Sequence, residues 1–120
     1  MPRREGEIMK LDYELKNGVL KVFKELDFDY DVTFDRACSE LVSSPETELV
    51  IDLSRIGRIT STYIGLMAAA FFQAQSHGKK ISVIAQGSVL NALRLAGFGN
   101  FMPLTDSRRI KLQSSTSNPS

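Results

Sequence analysis

The stretch Leu49–Phe72, which reads LVIDLSRIGRITSTYIGLMAAAFF, constrains the fold more than any other part of the chain. It opens with the mostly aliphatic and β-branched run Leu49–Leu53, a composition typical of a buried strand. A short link follows. A helical pattern comes next, in which one stripe of the helix would contain Ile64, Met67, Ala68, Phe71 and Gln75. The chain is therefore expected to lead a buried strand directly into a helix that turns one face to the core.

Two adjacent hydroxyl residues, Ser61 and Thr62, come just before this helical pattern. If Thr62 lies near the N-cap, its oxygen can accept from the free N–H groups of the first turn. The positive end of the helix dipole also favours negative charge there. The position could therefore carry a phosphate without breaking the helix. The simpler alternative is that Thr62, or Ser61 in its place, is an ordinary N-cap.

The composition predicts a single soluble domain. The chain has 120 residues, enough for one core, and its net charge of +1 favours neither nucleic acid nor an anionic membrane as a partner. The longest apolar run, Ile64–Phe72, is too short to span a bilayer, and the N-terminus lacks the apolar segment of a secretory signal. The lone cysteine, Cys38, cannot form an internal disulfide, which fits the cytoplasm.

The chain before the central stretch predicts a hairpin and a helix. Leu11–Lys16 and Val19–Leu26 alternate apolar and polar side chains, and Asn17-Gly18 between them suits a type I′ turn. A helix is then expected from Asp31 or Thr33, with an apolar face made of Phe34, Ala37, Cys38, Leu41 and Val42.

The chain after it predicts a strand over Lys80–Ala85, a helix from Gly87 to Gly97 and an edge strand over Phe101–Leu104. The resulting order of strands and helices predicts an α/β fold with a small mixed sheet and right-handed crossovers. We expect one domain over residues 9–113, a disordered extension over 1–8 and a disordered polar tail over 114–120.

Several short segments resemble the STAS domain, a family of anti-sigma-factor antagonists and related regulators. Glu25-Leu26-Asp27 is similar to the family's Gly-Glu-Leu-Asp motif, and Leu49–Ser54 to its strand of apolar residues followed by Asp, Leu and Ser. Ile59–Leu66 falls where the family has Asp-Ser-Ser/Thr-Gly-Leu-Gly. Gly78–Ile81 and Leu93–Phe101 also resemble its later strand and helix end. The likeness extends from about residue 11 to residue 105.

The resemblance implies a regulator that binds an anti-sigma factor or a related ATP-binding serine/threonine kinase. The partner would phosphorylate this chain, and a phosphatase would reset it. Carried over by position, Thr62 is the phosphoacceptor, with Ser61 as the alternative. The expected partner-binding residues are Asp27, Arg58, Thr60, Ser61, Tyr63 and Ile64. Tyr63 and Ile64 are included because the first turn of a helix is expected to leave one side exposed.

Two departures from the family motif support an alternative. Thr60 stands where the family usually has aspartate, and Tyr63 replaces the glycine after the phosphoacceptor. The alternative is a non-phosphorylated STAS scaffold subunit of a larger signalling or transport assembly, which would tolerate both changes. Asp27 is either a recognition carboxylate beside the site, as the resemblance implies, or a solvated turn residue. Enzymatic activity is not expected, because Cys38 and the only histidine, His77, lie in unrelated segments. No cofactor or metal is predicted.

Overall fold

The structure, a computed structural model, describes residues 11–26 and 30–108. The extension predicted over 1–8, the tail predicted over 114–120 and Asp27 lie outside these residues. The strands are β1 (Tyr13–Lys16), β2 (Val19–Val22), β3 (Glu48–Asp52), β4 (Lys80–Ala85) and β5 (Leu104–Asp106). The helices are α1 (Asp31–Ser43), α2 (Ser61–Ser76) and α3 (Gly87–Leu95), with a short 3-10 helix over Phe98–Asn100.

The predicted hairpin is confirmed. Asn17 and Gly18 adopt φ angles of 53° and 78°, as a type I′ turn requires, and β1 and β2 pair antiparallel with Leu15 opposite Leu20. The turn also contacts the next strand, because the carbonyl of Gly18 accepts the N–H of Val50 at 2.8 Å. The hairpin is thereby fixed to the rest of the sheet.

The five strands form one mixed sheet in the order β1-β2-β3-β4-β5, with every neighbouring pair after the hairpin parallel. This confirms the predicted fold class. The carboxyl ends of β2, β3 and β4 lie at one edge, so the loops that lead into the three helices meet there. Buried residues of the sheet, such as Leu49, Ile51 and Val83, form one hydrophobic core with the helices.

The buried face of α2 differs from the predicted stripe. Met67 and Phe71 are buried as expected, but Ile64 and Ala68 are only half-buried and Gln75 is exposed. Instead the core takes the face formed by Tyr63, Met67, Ala70, Phe71 and Ala74. Because α2 is apolar on nearly every side, its sequence pattern does not determine which arc packs against α1 and the sheet.

The last strand also begins later than predicted. The segment after α3 forms the 3-10 helix that follows Gly97, which has a φ of 85°, and Phe101 lies in the turn that comes next. The strand proper begins at Leu104, opposite Val83. The predicted edge strand over Phe101–Leu104 is therefore displaced toward the C-terminus.

Candidate functional site

The loop that leads into α2 is tied to the loop that follows β2. The side chain of Glu25 accepts the N–H of Gly57 at 2.8 Å. The N–H of Leu26 donates to the carbonyl of Arg58 at 3.1 Å, and the N–H of Thr60 donates to the carbonyl of Leu26 at 3.0 Å. These bonds form a short parallel bridge between Leu26 and Ile59. The start of α2 is therefore positioned by backbone pairing as well as by packing.

The other side of this loop is tied to the start of α3. The hydroxyl of Ser88 donates to the carbonyl of Gly57 at 2.8 Å, and the side-chain amide of Gln86 donates to the carbonyl of Ser54 at 3.0 Å. Asp52, at the end of β3, accepts the N–H of Ser54 at 3.0 Å. A loop held at both sides presents the first turn of α2 in a fixed orientation, as a docking surface requires.

The first turn of α2 has no side-chain cap. Thr60 is the N-cap residue, and its carbonyl accepts the N–H groups of Tyr63 and Ile64 at 3.1 and 3.2 Å. Ser61 and Thr62 are the first two residues of the helix, so the alternative that one of them is the N-cap of α2 is wrong. In the described residues, the N–H groups of Ser61 and Thr62 have no hydrogen-bond acceptor. Two backbone donors at the positive end of the helix are thus available to an anion.

The same turn carries a row of exposed hydroxyl groups. The side chains of Thr60, Ser61 and Thr62 are all exposed, and the first turn contains no acidic residue. A carboxylate or phosphate placed here would meet free N–H groups and no like charge within that turn. The geometry therefore suits either an acidic group of a partner or a phosphate on one of these hydroxyls.

Tyr63 does not lie on this surface. Its side chain is 1% exposed, packs edge-to-face against Phe34 with ring centroids 5.6 Å apart, and accepts the N–H of Tyr30 at 2.8 Å. The expectation that the first turn exposes Tyr63 is wrong, because this side of the turn packs against α1. Ile64 is half-buried, so it can contribute only part of its side chain to an interface.

Sequence reasoning missed Val32, which is 57% exposed in the first turn of α1. The bond between Tyr30 and Tyr63 places the first turns of α1 and α2 side by side, so Val32 lies at the same edge of the molecule as the hydroxyl row. The sequence does contain a signal for this exposure, because Val32 is apolar but lies outside the apolar face predicted for α1. Arg58 is exposed at this edge, as predicted.

Among the described residues, the other potentially reactive groups do not form a site. Cys38 is buried, and burial raises the pKa of its thiol from 9.0 to about 12. Within residues 11–26 and 30–108 there is no cluster of metal-ligating side chains. Over the same residues, no helix has the length and apolar character needed to cross a bilayer.

The fold and this helix start define a small α/β domain whose carboxyl-edge loops present the start of α2. The family model described as "Mlab, STAS domain" matches residues 9–106, which is most of the chain. The chain belongs to the STAS domain family. A comparison with curated protein sequences returns no significant match.

Solved structures with a similar fold include anti-sigma factor antagonists. One, from Mycobacterium paratuberculosis, is 24% identical and has a TM-score of 0.68, with 80% of this chain and 84% of that chain covered. A candidate anti-sigma factor antagonist from Thermotoga maritima is 17% identical, with a TM-score of 0.66 and coverage of 84% and 92%. The anti-sigma factor antagonist SpoIIAA in its unphosphorylated form is 12% identical, with a TM-score of 0.63 and coverage of 91% and 99%.

Proposed function

We propose that this protein is an anti-sigma-factor antagonist-like regulator that docks through the start of α2 and is released by phosphorylation of Thr62. The observation that carries the proposal is the uncapped first turn, with its exposed hydroxyls and two unbonded N–H groups. Membership of the STAS family and the similar fold of anti-sigma factor antagonists support the class of partner. The description of SpoIIAA as unphosphorylated supports the type of modification.

In this proposal the chain is a binding partner and substrate rather than an enzyme. The partner is an anti-sigma factor or a related ATP-binding serine/threonine kinase, which supplies ATP and catalysis. In its unmodified form the regulator occupies the partner and leaves the sigma factor free. A phosphatase returns the modified form to the binding state. The proposed site of action is the cytoplasm, where such partners act.

Phosphorylation would act through charge and desolvation. A phosphate adds about −1.5 to −2 charges at pH 7. The free N–H groups of Ser61 and Thr62 and the helix dipole can stabilise that charge within the domain. In the complex, however, the phosphate would be trapped in a protein interface, where lost hydration and steric overlap oppose binding. The modified domain therefore folds normally and releases its partner.

The proposed interface differs in composition from the one that the sequence suggested. Thr60, Ser61 and Thr62 form its centre, and Arg58 and the exposed part of Ile64 lie at its rim. Asp27 lies outside the described residues and stays a proposed contact. Tyr63 is a positioning residue that holds the turn from the core side. Val32 is added as an apolar contact.

The second candidate function is a STAS scaffold subunit that uses the same surface without modification, within a larger signalling or transport assembly. The observation that favours it is the absence of an acidic residue from the first turn of α2. A surface that binds continuously needs exposed hydroxyl and N–H donors but no phosphoacceptor.

Affinity purification from native cells distinguishes these functions. The full chain and the Thr62→Glu variant serve as baits, with Thr47→Glu as the matched control, because Thr47 is also exposed but lies before β3 at the opposite edge. We expect wild type and Thr47→Glu to retain the same partner, and Thr62→Glu to lose it. Equal retention by all three baits, with no phosphate on Thr62 by mass spectrometry, would support the scaffold function instead.

A further inference from the structure

Four phenylalanine rings form a cluster beyond the middle of α2, away from Thr62. The ring centroids of Phe71 and Phe101 are 5.0 Å apart, those of Phe98 and Phe101 are 5.1 Å apart, and Phe72 stacks on Phe101 at 5.8 Å. Phe71 and Phe98 are buried, whereas Phe72 is 57% exposed and Phe101 is 37% exposed. Two rings thus face solvent on a support of two buried rings, which fixes their orientation.

A groove of about 400 Å³ opens beside these rings. We call it the aromatic groove, and its walls include Phe71, Gln75, Lys79, Lys80, Phe101 and Pro103. Its volume falls in the range of sites that enclose a small ligand or a few side chains, about 300–1,000 Å³. Exposed aromatic rings beside a groove are typical of binding surfaces.

Among the residues that the structure describes, the charged ones that line the aromatic groove are Lys79 and Lys80. The ammonium of Lys79 is already hydrogen-bonded within the fold, because it donates to the carbonyls of Val42 and Ser44 at the end of α1. Lys80 is exposed at the first position of β4, with Glu48 opposite it in the sheet. The nearby carbonyls of Ala74 and Gln75 already accept N–H groups from the turn after α2. The groove therefore presents apolar rings beside an accessible cation, Lys80.

We propose that the aromatic groove binds a short segment of a second protein in which an apolar side chain is flanked by carboxylates. The apolar side chain packs against Phe101, which lines the groove, and against Phe72, which stacks on Phe101 beside the groove. A carboxylate pairs with Lys80. Charge complementarity favours this occupant, because the described lining contains lysine and no carboxylate. A second copy that paired groove to groove would bring another lining of the same kind against it.

This surface is separate from the one proposed for the switch. Thr62 and Gln75 are thirteen residues apart on α2, about 20 Å along the helix axis at 1.5 Å per residue. A segment bound in the aromatic groove therefore leaves the first turn of α2 free. The domain could hold one partner at each end of α2, and only the partner bound at the first turn would be released by phosphorylation of Thr62.

Selection from a random-peptide display library on the immobilised full chain tests the proposal. The variants are Phe72→Gln, which removes an exposed ring, and Lys80→Glu, which reverses the cation without touching the ring cluster. Leu95→Gln is the matched control, because Leu95 is 83% exposed but neither lines the groove nor belongs to the ring cluster, whereas Phe72 stacks on the groove residue Phe101. Thermal unfolding establishes whether each variant is folded. If Phe72→Gln does not fold, Lys80→Glu still tests the proposal.

We expect wild type to enrich peptides with an apolar anchor and a net negative charge. Their affinity should fall about tenfold or more in Phe72→Gln and Lys80→Glu and stay within about twofold in Leu95→Gln. Amide NMR shifts should change at Gln75, Lys80 and Phe101 and not at Thr62. The proposal would be overturned if the library gave no enrichment, or if the enriched peptides were neutral or basic. It would also be overturned if the NMR shifts were confined to the start of α2, or if the chain formed a concentration-dependent dimer that Phe72→Gln abolishes.

Discussion

The phenolic oxygen of Tyr63 accepts a hydrogen bond from the backbone N–H of Tyr30, 2.8 Å away inside the core. This bond joins the first turn of α2, where the proposed phosphoacceptor lies, to the residue that precedes α1. One buried side chain thus sets the relative position of the two helix starts that form the candidate interface.

Tyr63→Phe is expected to destabilise the protein by about 1–3 kcal/mol, because it leaves the buried N–H of Tyr30 without that acceptor. Tyr63→Ala, which also removes the ring packed on Phe34, is expected to cost about 3–5 kcal/mol. Urea denaturation measures both. Tyr13→Phe is the control, because the Tyr13 hydroxyl bonds to Glu40 at an exposed site, and its loss should cost less than about 0.5 kcal/mol. Equal stability of Tyr63→Phe and wild type would contradict the assigned role.

Gly18→Ala is expected to destabilise the hairpin by about 1–3 kcal/mol. Gly18 has a φ of +78°, and an added Cβ would lie 2.9 Å from the side chain of Glu46. Gly65→Ala is the matched control, because Gly65 lies within α2 and an added Cβ there meets no atom within 4 Å. That control should gain about 0.5–1 kcal/mol from helix propensity. The same sign of change in both variants would argue against this account of the turn.

Cys38 is expected to react slowly with thiol reagents in the folded state and rapidly in urea. Burial raises the pKa of its thiol from 9.0 to about 12, so the folded protein holds the neutral form over that range. The stability gained by keeping the thiol protonated is complete below pH 9.0 and is lost as the pH rises toward about 12. Alkylation followed by mass spectrometry at pH 8 checks the first expectation. Equal rates with and without urea would show that Cys38 is accessible.

Much of the fold could be predicted because local signals agreed with the tertiary structure. Asn17-Gly18 predicted the hairpin turn, and the aliphatic and β-branched composition of Leu49–Leu53 predicted a buried strand. The orientation of α2 could not be predicted. Tyr63 and Ile64 are adjacent and both apolar enough to be buried, and only packing against α1 selects Tyr63.

The start of α2 was predicted close to its observed position, but its local geometry was predicted wrongly. Thr60, Ser61 and Thr62 can all cap a helix, and the sequence does not show which residue comes first in the helix. The pairing of Leu26 with Ile59 sets the residue at which α2 begins, because it fixes Thr60 as the last extended residue before the helix. This contact connects segments more than thirty residues apart, so no local pattern reveals it.

Thr62→Ala is expected to leave the stability unchanged or to raise it by up to about 0.7 kcal/mol, because Thr62 makes no capping bond and alanine favours helix. Thr62→Glu is expected to gain about 0.3–1 kcal/mol from the helix dipole. Thermal or urea unfolding checks both. A loss above about 1 kcal/mol in Thr62→Ala would mean that its hydroxyl does stabilise the helix start.

The measurement that tests the central proposal most directly is phosphate transfer to this chain. Wild type, Thr62→Ala and Ser61→Ala are incubated with the partner recovered from native cells and with labelled ATP, and the labelled residue is identified by mass spectrometry. We predict that label appears on Thr62 in wild type and in Ser61→Ala, is absent from Thr62→Ala, and reduces partner binding as it accumulates. Label on Ser61 alone would move the site by one residue. Stable partner binding with no label on any of the three proteins would contradict the switch and favour the scaffold function.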